Sequence, residues 1–224
     1  MSDQEPYTDA LAAAADSVRQ LISHIRKTKA PADLLEDITR EAEALAARLA
    51  PYDHPGPYAQ RGLVMDESLR DMDVDTDVPA EYFPYSPIIG PLNPIAPPID
   101  FKLEARELRA VHSFDAPYNG PPTAVHGGVI ALVFDELLGS LGAILGTGGF
   151  TGTLKVVYRS LTPLGQPIRM RSWIDREEGV KIFIRGEMRT GTGEHERLCS
   201  EAEGIFIRPK VSILQDALAK SKSD

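Results

Sequence analysis

Apolar residues recur along this chain with two different periods, and the change from one to the other divides it. Leu11, Ala15, Val18, Ile22 and Ile25 fall at helical spacing, as do Leu34, Leu35, Ile38, Ala42, Leu45 and Leu49. Pro31 stands at the expected first position of the second helix and separates the two. The spacing predicts an N-terminal helical hairpin whose stripes must be covered by the main domain or by another chain, because neither helix has a core of its own. From Ile99 onward the period is two. Phe101, Leu103 and Ala105 alternate with charged residues, the phase slips through Arg106 to Leu108, and Ala110, His112 and Phe114 alternate again, which predicts a hairpin. An apolar run from Val129 to Leu145 predicts a buried helix. Four further strands are expected, at Thr151 to Arg159, Ile168 to Asp175, Val180 to Thr190 and Arg197 to Ile207, separated by the turn-like pieces LTPLGQP, REEG and GTGEHE. Two strands, one apolar helix and four antiparallel strands fit an α+β fold in which a sheet wraps one face of a single helix. Nothing repeats at a fixed period, which excludes solenoids and propellers.

The pattern sets four zones: a helical extension over 1–50, a proline-rich and acidic connecting segment over 51–98, the main domain over 99–210, and a tail over 211–224. The connecting segment carries an acidic run, Asp66, Glu67, Asp71, Asp73, Asp75 and Asp77, which reads as a solvated loop. Its second part, YFPYSPIIGPLNPIAPPID from Tyr82 to Asp100, mixes prolines with aromatic and branched apolar residues. It is expected to lie extended over the domain, where it could wall a pocket.

Composition narrows the function. Among 224 residues, 24 Lys and Arg stand against 33 Asp and Glu, a net charge of -9 that repels nucleic acid and anionic membrane. The apolar run is broken by Asp135, Glu136 and several glycines, and falls short of the ~20 apolar residues of a membrane span. No basic stretch precedes an apolar one at the N-terminus, and Cys199 is the one cysteine, so a cytoplasmic protein without an internal disulfide is expected. Five scattered histidines give no metal-ligand spacing, and neither a P-loop nor a dinucleotide-binding glycine pattern is present.

The window AVHGGVIALVFDELLGSLGAILG, Ala124 to Gly146, holds the candidate chemistry. His126, Gly127 and Gly128 stand where the apolar helix begins, and glycines there leave backbone N–H groups accessible at the positive end of the helix dipole. Such donors can hold a developing oxyanion, although paired glycines also serve close packing. Asp135 lies nine residues after His126 in a segment apolar on nearly every side, where a carboxylate needs a partner or a cavity. Asp135 and Glu136 diverge by about 100° on a helix, so one faces inward and the other faces solvent or an interface. Thr151 opens the next strand with Thr153 two residues on, which would put both hydroxyls on one face.

Taken together, VHGGVIALVFDELLG, TGTLKVVYRSLTPLGQPI and the ending LCSEAEGIFI resemble the hotdog-fold acyl-CoA thioesterases of the PaaI-like group, over about Ala110 to Pro209. The branch with an N-terminal extension and a GPP element before HGG is most similar; here that element is Gly120-Pro121-Pro122. The resemblance implies that Asp135 is general base or nucleophile, that the Gly127 N–H polarises the thioester carbonyl with Gly128 beside it, and that Thr151 positions the attacking group. It implies a structural or carbonyl-orienting role for His126. Several relatives have an asparagine six residues before the histidine; this chain has Gly120 there and Asn119 one place earlier. Thr153 and Arg159 complete the candidate substrate contacts, and Lys155, Arg169, Arg171 and Arg208 are further candidates for coenzyme A phosphates. No cofactor is implied beyond coenzyme A as part of an acyl-CoA substrate, in keeping with a role in fatty acid metabolism. The expected assembly is a homodimer or a dimer of dimers with active sites between subunits, Thr151 coming from the chain opposite to Asp135. Leu137, Leu138 and Leu141 would set the far end of the acyl groove.

Other readings stay open: a non-hydrolytic binder of acyl groups or hydrophobic ligands on the same scaffold, a thioesterase for acyl-carrier-protein or polyketide substrates, and an interaction role for the N-terminal helices. Hotdog hydratases pair Asp and His at a different spacing, which is not found here.

Overall fold

The computed structural model describes residues 5–53 and 78–208. The acidic run and the expected tail over 211–224 lie outside the described residues. Helices α1 (Glu5–Lys27) and α2 (Ala32–Leu49) form where the apolar spacing predicts them. α1 rests on the body. Ala15 is buried, the Arg19 guanidinium donates to the carbonyls of Pro91 at 3.2 Å and Asn93 at 3.1 Å, and Lys27 pairs with Asp115 at 2.6 Å, where the Ser23 hydroxyl also donates. α2 buries no residue, and Leu34, Leu35, Leu45 and Leu49 of its stripe stay exposed.

The hydrogen bonds from Lys27 and Ser23 hold the Asp115 carboxyl down at about 2. A carboxyl lowered by folding stabilises above its ordinary value near 3.8, and that contribution is lost as pH falls from there toward 2. The pair is half exposed, so salt screens it and the effect is local. We therefore expect α1 amides to lose protection severalfold between pH 4 and 2 in pulse-labelled hydrogen exchange, ahead of the sheet. Equal behaviour of Asp115→Asn and the natural chain through that window would remove the explanation.

A single turn, α3 (Pro79–Tyr82), leads into residues 83–99, which lie over the domain as a run of turns. The prolines break any regular ladder, and local bonds replace it: the Ser86 hydroxyl accepts the N–H groups of Ile88 at 3.1 Å and Ile89 at 3.2 Å. Ile88, Ile89, Ala96 and Ile99 are buried and join the core. Each such aliphatic side chain contributes about 1.5–3 kcal/mol, which is what seats a segment without strand pairing.

The sheet comprises β1 (Lys102–Glu104), β2 (Glu107–His112), β3 (Phe150–Tyr158), β4 (Ile168–Glu178), β5 (Lys181–Thr190) and β6 (Arg197–Ile207). It is antiparallel throughout, in the order β1-β2-β4-β5-β6-β3. The phase slip after Leu103 is a two-residue turn with Ala105 and Arg106 at positive φ. β4 runs to Glu178, three residues past the expected Asp175, so most of REEG is strand and the turn falls on Gly179 at φ +60. The helix α4 (Gly127–Ile144) lies in the concave face. It is long and apolar enough to cross a membrane by length and composition, and here packs on the sheet with most of its residues buried. Ile130, Phe134, Leu137, Leu138 and Leu141 meet Ile168, Met170, Ile184, Met188 and Phe206 in one cluster. Leu137, Leu138 and Leu141 are thus core residues with no exposed surface, and do not line a groove. This is the wrapped-helix arrangement that the hotdog resemblance implies.

Candidate active site

His126 sits just before α4 in an extended conformation, φ -63 and ψ 134, and its Nδ1 accepts the Gly128 N–H at 3.0 Å. The histidine is therefore the helix cap, and the Gly128 N–H is engaged by it. Gly127 occupies the first helical position, where its N–H has no partner within the helix, and it has no acceptor among the described residues. That donor points out of the positive end of α4. On the other side of the same residue, the Gly127 carbonyl accepts the Tyr158 hydroxyl at 2.8 Å. Sequence reading missed Tyr158, because an aromatic residue ending a strand carries no signal of what its hydroxyl meets.

The loop before the cap is closed internally. The Asn119 amide nitrogen donates to the carbonyls of Pro121 at 2.7 Å and Ala124 at 3.0 Å, so its donor is spent within its own turn. A Cβ on Gly120 would stand 2.6 Å from the His126 Cα, so only glycine lets this turn lie against the cap.

Thr151 and Thr153 do not share a face. Thr151 pairs with Phe206 but Thr153 pairs with Ile205, so the strand carries an extra residue at Gly152 and its alternation is reset there. Phe206 faces α4 from the buried side of the sheet, which sends Thr151 inward, whereas Thr153 follows half-buried Ile205 to the outer face. Thr153 is thereby out of the site. Gly152 fits the bulge because a Cβ there would lie 2.9 Å from the Ile207 side chain. Inward from β3, the Thr151 hydroxyl donates to Asp135 Oδ1 at 2.9 Å. The two belong to one chain, so the expectation that Thr151 reaches Asp135 from an opposite chain is corrected.

The adjacent carboxylates separate as the helix requires. Asp135 turns to the open β3 edge, half-buried, with Thr151 as its donor. Glu136 turns to residues 83–99, where Ser86 hydrogen-bonds to it, and Ser140 donates to its Oε1 at 3.4 Å. Burial pushes the Glu136 carboxyl up, and the negative charge of Asp135 adds to this, against the hydrogen bonds of Ser86 and Ser140.

The basic candidates are mostly engaged. Arg159 pairs with Glu201 at 2.5 Å, Arg169 with Glu196 at 2.6 Å, Arg171 with Glu187 at 2.6 Å and Arg208 with Glu177 at 2.7 Å. Only Lys155 of the five has no carboxylate partner among the described residues. An open depression of about 820 Å³ lies over β2, β4 and β5, lined by Arg109, Arg169, Arg171 and Arg189 with Glu187 and Glu196. It is on the outer face of the sheet, away from Asp135, and its five cations, Lys102 among them, stand against four carboxylates, Asp100 and Glu104 included.

No family model matches the chain. It is similar to the acyl-coenzyme A thioesterase THEM4 of Xenopus laevis, 35% identical over 104 residues, which are 46% of each protein. THEM4 of Bos taurus is 35% identical over 106 residues, 46% of this chain and 42% of that one. The chain thus spans about half the length of the curated relatives it matches. A crystal structure of a thioesterase superfamily protein superposes with a TM-score of 0.71 at 30% identity, over 88% of this chain and 90% of the other. With agreement over almost the full length of both, this chain belongs to the thioesterase superfamily.

Proposed function

We propose that the protein hydrolyses acyl-CoA thioesters to the free acid and coenzyme A. The observation that carries this is the Asp135–Thr151 pair, a carboxylate aimed at the open side of α4 by a hydroxyl donor, on the same helix as an unengaged Gly127 N–H. Asp135 takes a proton from water whose oxygen adds to the thioester carbon, or adds to it directly; the carbonyl oxygen becomes an oxyanion held by Gly127. Collapse breaks the carbon–sulfur bond, and the sulfur takes the proton that Asp135 drew from water; in the direct route the thiolate takes its proton from solvent, and a water then hydrolyses the anhydride between Asp135 and the acyl group to the free acid. Thr151 holds the carboxylate with its own proton and keeps its oxygen lone pairs for the water.

One chain does not complete this site. Gly127 and Asp135 are eight helical residues apart, which is a rise of about 12 Å, far beyond the span of one carbonyl and one attacking oxygen. A two-fold pair of α4 helices lying antiparallel brings Asp135 and Thr151 of one copy to Gly127 of the other, twice. The β3 edge supports such pairing: it is the outermost strand, bonded on one side only, and exposes Phe150 and Tyr158 there, with Leu132 of α4 also exposed. The reading is of a cytoplasmic homodimer, or a pair of dimers, that needs no cofactor.

A second reading has its own support. With four of the five basic candidates bound to carboxylates, the coenzyme A phosphates have few free partners, which favours an acyl group delivered on a carrier protein. The test is release of free thiol from acetyl, hexanoyl, palmitoyl and aromatic-acyl coenzyme A. Turnover of any one class establishes the hydrolase. A folded, dimeric protein inert to all four would direct the assignment to carrier-protein substrates or to a binding module.

A further inference from the structure

Tyr158 has no step in the reaction proposed above, yet it is bonded to the residue that would hold the oxyanion. Two successive peptide groups open α4, and together they have four polar ends. The His126 carbonyl accepts the Ile130 N–H at 3.1 Å, the Gly127 carbonyl accepts the Tyr158 hydroxyl at 2.8 Å, and the Gly128 N–H donates to His126 Nδ1 at 3.0 Å. The fourth end is the Gly127 N–H, which has no acceptor among the described residues. A Gly-Gly pair is the least restrained backbone with which a helix can begin, and it suits poorly a donor whose direction matters. Two side chains supply what the glycines lack. The 127–128 peptide group is gripped by Tyr158 at its oxygen and by His126 at its nitrogen. With the peptide groups on both sides of Gly127 held, its φ and ψ are fixed and the remaining N–H points in one direction. A Cβ at 128 would stand 3.1 Å from His126 Nδ1, so the glycine there makes room for one of the two grips. The tyrosine bond is not needed to satisfy the carbonyl. In a helix that oxygen also faces the N–H four residues on, and Tyr158 is 53% exposed, where water could serve. Tyr158 reaches α4 because it follows Leu154 and Val156, which pack on the core, along the inner face of β3.

We propose that Tyr158 is a positioning residue for the oxyanion donor: by holding the Gly127 carbonyl from β3, it fixes the direction of the Gly127 N–H. Its consequence for catalysis rests on the hydrolase reading, whereas the restraint on the N–H does not. In a two-fold pair each β3 then serves both sites, Thr151 steadying the aspartate of one and Tyr158 the glycine of the other.

Tyr158→Phe keeps the ring and removes only the hydroxyl. Nitrogen-15 relaxation of the full-length protein reads the order parameter of the Gly127 N–H and needs no turnover. It should fall from about 0.85, as in rigid backbone, to below about 0.6, while Ile130 and the sheet stay rigid. For any acyl-CoA that is turned over, kcat should fall about tenfold, less than loss of the donor itself, with KM within about twofold and the melting temperature unchanged. Rates are compared at chain concentrations where specific activity has stopped rising, so that pairing of subunits does not enter. A merely structural tyrosine is told apart in the background of Gly127→Pro, which has no N–H to direct: there Tyr158→Phe should cost no more than about twofold. An unchanged order parameter in Tyr158→Phe would overturn the proposal, as would an unchanged kcat or an equal loss in the proline background. Should every thioester prove inert, the hydrolase reading falls, and the order parameter alone decides whether Tyr158 restrains the donor.

Discussion

Asp135→Asn should lower kcat for thioester hydrolysis by about a thousandfold, within the range that general acid–base groups contribute. Asparagine keeps the size of the side chain and can still accept the Thr151 hydroxyl on its amide oxygen, so the 2.9 Å contact and the fold survive. What it loses is the ability to take a proton or to form a carboxyl anhydride with the acyl group. KM should change by no more than a few-fold, because the substituted atoms act in the transition state and contribute little to ground-state binding. Thiol release with an unchanged melting temperature is the measurement. Hydrolysis within threefold of the natural rate would exclude Asp135 as base or nucleophile.

Gly127→Pro should cost about a hundredfold in kcat, the effect of removing one oxyanion donor, while leaving the fold intact. Proline removes only the N–H, and the first position of a helix is where proline is best tolerated. The preceding His126 already has φ -63 and ψ 134, the conformation a residue before proline prefers. The nearest obstacle to a Cβ at 127 is the Tyr158 ring at 3.6 Å, an ordinary contact. The decisive use of this variant is in a mixture. Re-pairing Gly127→Pro with Asp135→Asn chains makes half of the dimers hybrid, and each hybrid has one site with an intact glycine and an intact aspartate. Activity should return to roughly a quarter of the natural level, if the site is shared across the two-fold axis. With a site inside one chain, every site in the mixture would be defective and nothing would return.

The sequence was informative where the physics is local. The 3.6-residue period of α4, the two-residue period of the strands and the slip at Arg106 all mark elements the structure contains, because burial on one face imposes each pattern. The chemistry at Asp135 was visible as a charge in an apolar run. Which of Asp135 and Glu136 does the work was not, since neighbouring helical residues are told apart only by what lies against each side. That depended on a turn-rich segment arriving over Glu136 from about fifty residues upstream. Thr151 and Thr153 looked equivalent because a bulge leaves no mark beyond a glycine in a strand. Arginines that read as phosphate ligands proved to have carboxylates across the strand, a matter of register that no spacing within one strand reveals. Tyr158 joined the site through a backbone carbonyl, a contact without any sequence signature.

The bulge at Gly152 has a consequence for how this site could be gained or lost. Thr151 and Tyr158 are seven positions apart, an odd separation that in a regular strand places them on opposite faces. The additional residue makes the count even, and both side chains reach α4, one at Asp135 and the other at Gly127. Parity, then, is what the site depends on here. Deleting the bulged residue would leave the two six positions apart, an even count that a regular strand satisfies with Thr151 still inward, whereas straightening the strand at its present length would turn Thr151 to solvent. A related sequence can therefore retain every catalytic side chain and yet lose the site, if its count from threonine to tyrosine is odd and its strand has no bulge to absorb the extra residue.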